Sequence, residues 1–252
     1  MKIQLGETIQ GQTCTLEIFQ APGSEPRGMV LVLPGGGYCN LALHESEPVA
    51  RKFVELGFHA AVCMYRIAPV TYPVPLEDTR NAVRYLREHA AEFGIKPDKI
   101  AILGFSAGGH LAAMTSHMPG SRVSRPDASI LCYAVLSSLA GGERAHLGSY
   151  YNLFGNKLAP EAYRDFCWAN KVDADTPPAF LWHTMEDGTV PVEQSLEYAA
   201  ALQKAGIPYA LHIFTHGVHG LSINNRPGYD RKFPEIAVWP ELCAEWLRTM
   251  GW

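Results

Sequence analysis

The sequence has no Lys/Arg-rich run, and its 21 basic residues are outnumbered by 25 acidic ones, for a net charge of −4. A nucleic-acid binder clusters Lys and Arg against phosphates, so that class is set aside. No stretch of about 18 apolar residues occurs, so no transmembrane helix is expected and the membrane is not a partner. The opening "MKIQLGETIQ" has neither an apolar core nor a small-residue cleavage site, which points to a cytoplasmic protein. The six cysteines, at 14, 39, 63, 132, 167 and 243, contain no C-x-x-C pair. They read as buried thiols in a reducing compartment, and zinc held by cysteine is not expected. No repeat or low-complexity segment interrupts the chain.

What is present is core material. Hydrophobic residues make up 47% of the 252 positions and charged residues 18%, enough for one large folded domain, 1–252. Short β-rich runs alternate with helical patterns. "TCTLEIF" (13–19) alternates as an antiparallel edge strand does, and its exposed edge leaves a homodimer open. "GMVLVLP" (28–34) is continuously apolar, as a strand buried on both faces must be. "FHAAVCMY" (58–65), "KIAILGF" (99–105), "ASILCYAVL" (128–136), "PAFLWH" (178–183) and "YALHIF" (209–214) read the same way.

Between these runs lie helical patterns. Leu76, Val83, Leu86, Ala90 and Phe93 form a core-facing stripe. Pro48 suits the first turn of a helix carrying Val49, Phe53, Val54 and Leu56. Residues 192–206 end on Gly206, a C-terminal cap, and 241–250 form a last helix with Leu242, Trp246 and Leu247 inward. This alternation predicts an α/β fold with a mostly parallel sheet covered on both faces. Residues 138–177, rich in Gly, Asn and Tyr, far exceed the usual connection of about 4–6 residues. They read as a small lid or cap insertion, with a surface excursion as the alternative.

Four segments carry chemistry. "GFSAGG" (104–109) follows an apolar strand and opens a helix, the setting in which G-x-S-x-G marks a nucleophile. Gly104 and Gly108 let strand and helix approach, leaving Ser106 at the tip of a sharp turn. "LPGGGYCN" (33–40) ends another buried strand, and its three glycines leave N–H groups free to hold an oxyanion. Gly36 and Gly37, with the N–H of Ala107, are the expected donors, and either glycine can serve. "WHTMEDGTVP" (182–191) offers Asp187 and, as fallback, Glu186. Asp187 is favoured because Gly188 would permit the turn that presents it. "LHIFTHGVHG" (211–220) holds three histidines. His212 lies within the strand, whereas His216 and His219 follow it. His219, between Gly217 and Gly220, is the expected base. A metal pair at 216 and 219 lacks a third ligand nearby, so no metal site is expected.

With these segments in hand, the chain resembles the α/β-hydrolases. It is similar to their acetyl esterase/lipase group, and to the short xylan-esterase-like branch with a P-G-G-G-Y motif. "YRIAP" (65–69), "EDTRNAVRYLREHA" (77–90), "GFSAGGHLAA" (104–113), "TPPAFLWHTMEDGTVPVEQS" (176–195) and "HIFTHGVHGL" (212–221) carry the resemblance. It implies the α/β-hydrolase fold, a small lid insertion after the sixth strand, Ser106 as nucleophile, Asp187 as acid and His219 as base. Gly36, Gly37 and Ala107 match the family's oxyanion donors, and Pro34 stands where a related branch has His. Arg66 and Asp78 match family positions and read as a structural ion pair or cap.

The activity implied is hydrolysis of short-chain acyl esters, acetyl above all, through an acyl-enzyme and without cofactor. The substrate is a small-molecule ester, with acetylated sugars or xylo-oligosaccharides the class the family suggests. Tyr38, His146, Tyr150 and Tyr151 are candidates to line a sugar-sized crevice, with simple packing the alternative for each. An amidase or peptidase using the same triad, and a non-catalytic binding protein of the same fold, are the rival readings.

Overall fold

The computed structural model describes residues 1–155, 160–229 and 231–252. Eight strands form one sheet: β1 (Lys2–Ile9), β2 (Gln12–Phe19), β3 (Arg27–Leu33), β4 (His59–Met64), β5 (Ile95–Phe105), β6 (Ala128–Cys132), β7 (Ala179–Thr184) and β8 (Tyr209–Phe214). Their spatial order is β1-β2-β4-β3-β5-β6-β7-β8. The pairs β1–β2 and β2–β4 are antiparallel, and all others are parallel.

Successive side chains of β3 point to opposite faces, as the pleat requires. Met29, Leu31 and Leu33 join one apolar layer, and Val30 and Val32 join the other. The first layer is covered by α2 (Val74–Glu88), α3 (Ala90–Phe93), α4 (Ala107–His117) and α6 (Glu193–Ala205). The second is covered by α1 (Glu47–Glu55) and α7 (Trp239–Thr249). Pro48 stands in the first turn of α1, and Gly206 caps α6 in the left-handed conformation at φ 71°.

Two expectations are corrected here. Residues 13–19 are not the edge of the sheet, because β1 pairs along them from Lys2↔Glu17 to Ile9↔Gln12. Only Leu5 of β1 is buried, so that strand lacks the apolar alternation that would mark it in the sequence. The argument for a homodimer through an exposed β2 edge therefore falls. On α7, Leu242 is exposed, while Trp239, Cys243 and Leu247 face the core and Trp246 is half-buried against Phe180.

Five cysteines are buried and Cys39 is exposed, contrary to the expectation that all six would be interior. Arg66 and Asp78 form a buried ion pair, and the Asp78 carboxylate also accepts the Arg66 backbone N–H at 2.9 Å. No helix among the described residues is long and apolar enough to cross a membrane.

The insertion at 138–177 holds α5 (Gly148–Phe154) and short 3₁₀ turns at Gly142–Arg144, Pro160–Phe166 and Trp168–Lys171. Its positions 156–159 lie outside the described residues. Tyr150, Leu153, Phe154, Tyr163 and Trp168 join the first apolar layer. Asn152 donates its side-chain N–H to the Gly37 carbonyl at 2.7 Å.

Candidate active site

The strand order makes the site. The chain leaves β3 for β4 on one side and then crosses to β5 on the other, so the crevice opens at the carboxyl ends of β3 and β5. Leu33 and Gly104 are in register, which sets the glycine run after β3 beside the turn after β5.

Ser106 occupies that turn at φ 52°, ψ −117°, backbone angles that L residues rarely adopt. The turn can form only because its neighbours lack side chains. A Cβ on Gly104 would lie 2.1 Å from the Gly108 carbonyl oxygen, and one on Gly108 would lie 2.3 Å from that of Leu33. The helix α4 begins at Ala107, so its first N–H groups have no intrahelical acceptors and face the crevice end.

His219 follows β8 and reaches Ser106, and Asp187 follows β7 and reaches His219. His219 Nε2 lies 2.8 Å from Ser106 Oγ, and its Nδ1 lies 2.7 Å from Asp187 Oδ2. The ionised Asp187 only accepts, so Nδ1 carries the proton and Nε2 is left to accept from the serine hydroxyl. Burial alone would raise the Asp187 pKa, but hydrogen bonds from His183 and His219 outweigh it and hold the carboxyl well below its ordinary range. Its other oxygen, Oδ1, accepts the N–H groups of Thr189 and Val190 at 2.9 Å each. That pair of bonds shapes the turn. Gly188 has open space around it and no positive φ, so the glycine is not what presents Asp187, contrary to the reason for favouring it.

Glu186 and His216 are engaged elsewhere. Glu186 accepts from His216 Nδ1 at 2.9 Å and from the Gly217 N–H at 3.2 Å, out on the surface. The hydrogen bond lowers the Glu186 pKa and raises that of His216. His216 and His219 therefore face different partners. His212 sits within β8, half-buried, with its ring 5.0 Å from that of Phe180, and burial lowers its pKa.

The glycine run takes conformations that favour glycine, with φ 123° at Gly36 and 64° at Gly37. A Cβ on Gly36 would lie 2.1 Å from the side-chain oxygen of Asn40. The Gly35 N–H is already committed to Glu45 Oε2 at 2.8 Å. The N–H groups of Gly36 and Gly37 have no hydrogen-bond partner among the described residues.

A crevice of about 330 Å³ opens over Ser106 and His219, and Gly36, Gly37, Asn40, His44, Glu45, His146, Thr189 and Arg226 line it. His146 is the one residue of the 138–177 insertion, among those described, that reaches it. Its Nδ1 donates to the Thr189 carbonyl at 3.2 Å, and Ser149 Oγ lies 2.9 Å from its Nε2. Burial, then the nearby His219, lowers its pKa.

Tyr38, Tyr150 and Tyr151 are not in the crevice. Tyr38 is 1% exposed, with its hydroxyl 2.8 Å from His110 Nδ1 beneath the glycine loop. Tyr150 is equally buried, edge-on to His110 and close to Tyr163. Tyr151 is exposed but packs toward Tyr163 at 5.8 Å. Asn40, His44, Glu45, Thr189 and Arg226 escaped the sequence reading. The polar His44-Glu45 pair shortly after the glycine run was the one available signal.

Residues 30–223 match a family model described as the alpha/beta hydrolase fold. Over 214 residues the chain is 37% identical to endo-1,4-β-xylanase B of Butyrivibrio fibrisolvens, covering 79% of this chain and 33% of that protein. It is 32% identical over 222 residues to an acetylxylan esterase of Xylanibacter ruminicola, covering 85% of this chain and 45% of that protein. The chain thus spans less than half the length of either relative. Among solved structures, an acetyl ester-xyloside bifunctional hydrolase from Caldicellulosiruptor lactoaceticus superposes with a TM-score of 0.84 at 39% identity. That match covers 95% of this chain and 89% of the other. By sequence match, sheet topology and structural likeness, the chain belongs to the α/β-hydrolase family.

Proposed function

We propose that the chain is a serine esterase that removes short acyl groups, acetyl foremost, from acetylated xylo-oligosaccharides or related sugars. The observation that carries this reading is the hydrogen-bonded line from Ser106 Oγ through His219 to Asp187, at 2.8 and 2.7 Å. His219 takes the Ser106 proton as Oγ attacks the ester carbonyl. The N–H groups of Gly36, Gly37 and Ala107 receive the oxyanion, each contributing about 3–4 kcal/mol to transition-state stabilisation. His219 then protonates the departing alcohol, and water activated by the same imidazole releases the acid.

The substrate class is supported by two things. The crevice of about 330 Å³ is small, and its mixed polar and apolar wall includes Asn40, His44, His146, Thr189 and Arg226. Such a site suits a compact acyl group on a hydroxyl-rich alcohol better than a long acyl chain. The relatives named above include an acetylxylan esterase and an acetyl ester-xyloside hydrolase. In this reading the 138–177 insertion supplies His146 to the crevice wall.

The test is hydrolysis of p-nitrophenyl acetate, butyrate and octanoate, and release of acetate from acetylated xylo-oligosaccharides. Wild type is expected to prefer acetate. Ser106→Ala and His219→Ala lose activity, and His216→Ala keeps it. Wild type inert on every ester would refute the assignment.

A further inference from the structure

Glu45 is a carboxylate in the wall of the crevice, only 2% exposed, and the reaction outlined above gives it no part. An acidic group is placed so deeply only where donors meet it. Both of its oxygens have one. Oε2 accepts the Gly35 N–H at 2.8 Å, and Oε1 accepts the Tyr133 hydroxyl at 2.6 Å. A Cβ on Gly35 would lie 2.7 Å from Oε2 and 3.1 Å from the Ser106 Cβ, so glycine is what lets the carboxylate come this close.

The contacts continue to the other side of the site. The Tyr133 hydroxyl accepts the Ser222 N–H at 3.0 Å, and its ring stands edge-on to His219 with centroids 5.0 Å apart. Ser222 Oγ donates to the His44 carbonyl at 3.0 Å, and His44 Nε2 donates to that of Gly220 at 2.9 Å. Tyr133 and Ser222 both hold positive φ, 36° and 55°, and such strain gathers where a site must be held in one geometry. Burial, with Glu45 beside it, pushes the Tyr133 hydroxyl well above its ordinary pKa, so it remains a donor.

We infer that Glu45 is a positioning residue for the proposed ester hydrolysis, pinning the Gly35 amide so that the next two amides face the oxyanion. Through Tyr133 it also fixes the spacing between that glycine loop and the loop carrying His219. The inference rests on the proposed esterase reading. Glu45 occupies the Gly35 donor and thereby assigns the oxyanion to Gly36 and Gly37. It touches no reacting atom.

The experiment compares Glu45→Gln and Tyr133→Phe with wild type on p-nitrophenyl acetate, and measures inhibition by an alkyl trifluoromethyl ketone. Ser106 Oγ adds to the ketone carbon as its proton passes to His219, the carbonyl pair moves to oxygen, and the hemiketal oxyanion reports on the same donors. Both variants are expected to lose at least about tenfold in kcat with KM within about threefold, and to lose ketone affinity in proportion to kcat/KM. Tyr133→Phe removes a single oxygen, so it carries the test if Glu45→Gln does not fold. Folded variants with wild-type kcat, or with reduced kcat and undiminished ketone affinity, would overturn the positioning role alone. A wild type that hydrolyses no ester overturns the esterase reading, and this inference with it.

Discussion

His183 Nε2 lies 3.4 Å from Asp187 Oδ2, the same oxygen that His219 engages at 2.7 Å. His183 is wholly buried, with Nδ1 2.8 Å from Ser195 Oγ and Nε2 2.9 Å from the Val190 carbonyl. A carbonyl and a carboxylate both accept, so Nε2 carries the proton and Nδ1 accepts from Ser195. The Asp187 carboxylate is thus held from two sides, and one holder is anchored in the core. His183→Phe keeps a ring in place and removes both nitrogens. It is expected to lower kcat about tenfold, or about 1.4 kcal/mol of barrier, with KM little changed. Steady-state kinetics on p-nitrophenyl acetate decide it, and an unchanged kcat would show that the backbone N–H groups on Oδ1 suffice.

The two neighbouring acidic residues are predicted to behave oppositely. Asp187→Asn disturbs the tautomer of His219 and is expected to cost about 10⁴ in kcat. Glu186→Gln breaks only the surface contact with His216, where the two side chains are 55% and 63% exposed, and should leave kcat within about threefold. Equal losses in the two variants would mean that the acid is not confined to Asp187.

How far this site was legible depends on how local its determinants are. The Ser106 turn is encoded within six consecutive residues, and its glycines are demanded by contacts that a Cβ would violate. The strands β3, β4, β6 and β7 and the second half of β5 announce themselves because burial on both faces requires unbroken apolar runs. β8, expected to be buried in the same way, is a half-buried edge. β1 stayed hidden because an exposed edge strand needs no such run. The crevice walls were hidden for another reason. Asn40, Thr189 and Arg226 come from loops after three different strands, and only the sheet order brings them together. Aromatics in the insertion suggested a sugar platform, yet Tyr150 is buried in the core, where large rings contribute most.

Acid should weaken the fold through two histidines, His110 buried and His117 half-buried. Burial, then His146 nearby, lowers His110 from 6.5 to about 3, and burial lowers His117 to about 4. Below about pH 6.5 the unfolded chain takes up two protons that the folded chain refuses, so stability is full above that pH and falls as acid is added. The loss continues down to the folded values of about 4 and 3. At about pH 5.5 the two groups together cost about 3 kcal/mol. Urea unfolding at about pH 7.5 and 5.5 measures it, and His117→Phe, which retains a ring against Trp168, should reduce the difference by about 1.4 kcal/mol. A stability independent of pH over this interval would contradict the assignment.

Two glycines flanking catalytic candidates should respond in opposite ways to alanine. At Gly104 a Cβ meets the Gly108 and Gly109 backbone at 2.1–2.6 Å, which no side-chain rotation relieves, so the turn at Ser106 must open or the helix α4 must shift. Overpacking of this kind costs about 1–3 kcal/mol or more, and it displaces Ser106 as well. At Gly188 a Cβ meets nothing within 4 Å and φ is not positive, because the Asp187 carboxylate already organises the turn. Gly188→Ala should stay within about 0.5 kcal/mol of wild type and retain its kcat. Gly104→Ala should lose both stability and activity. Urea midpoints with matched esterase assays separate the two, and an inactive Gly188→Ala would restore to that glycine the turn-forming role that its backbone geometry here denies it.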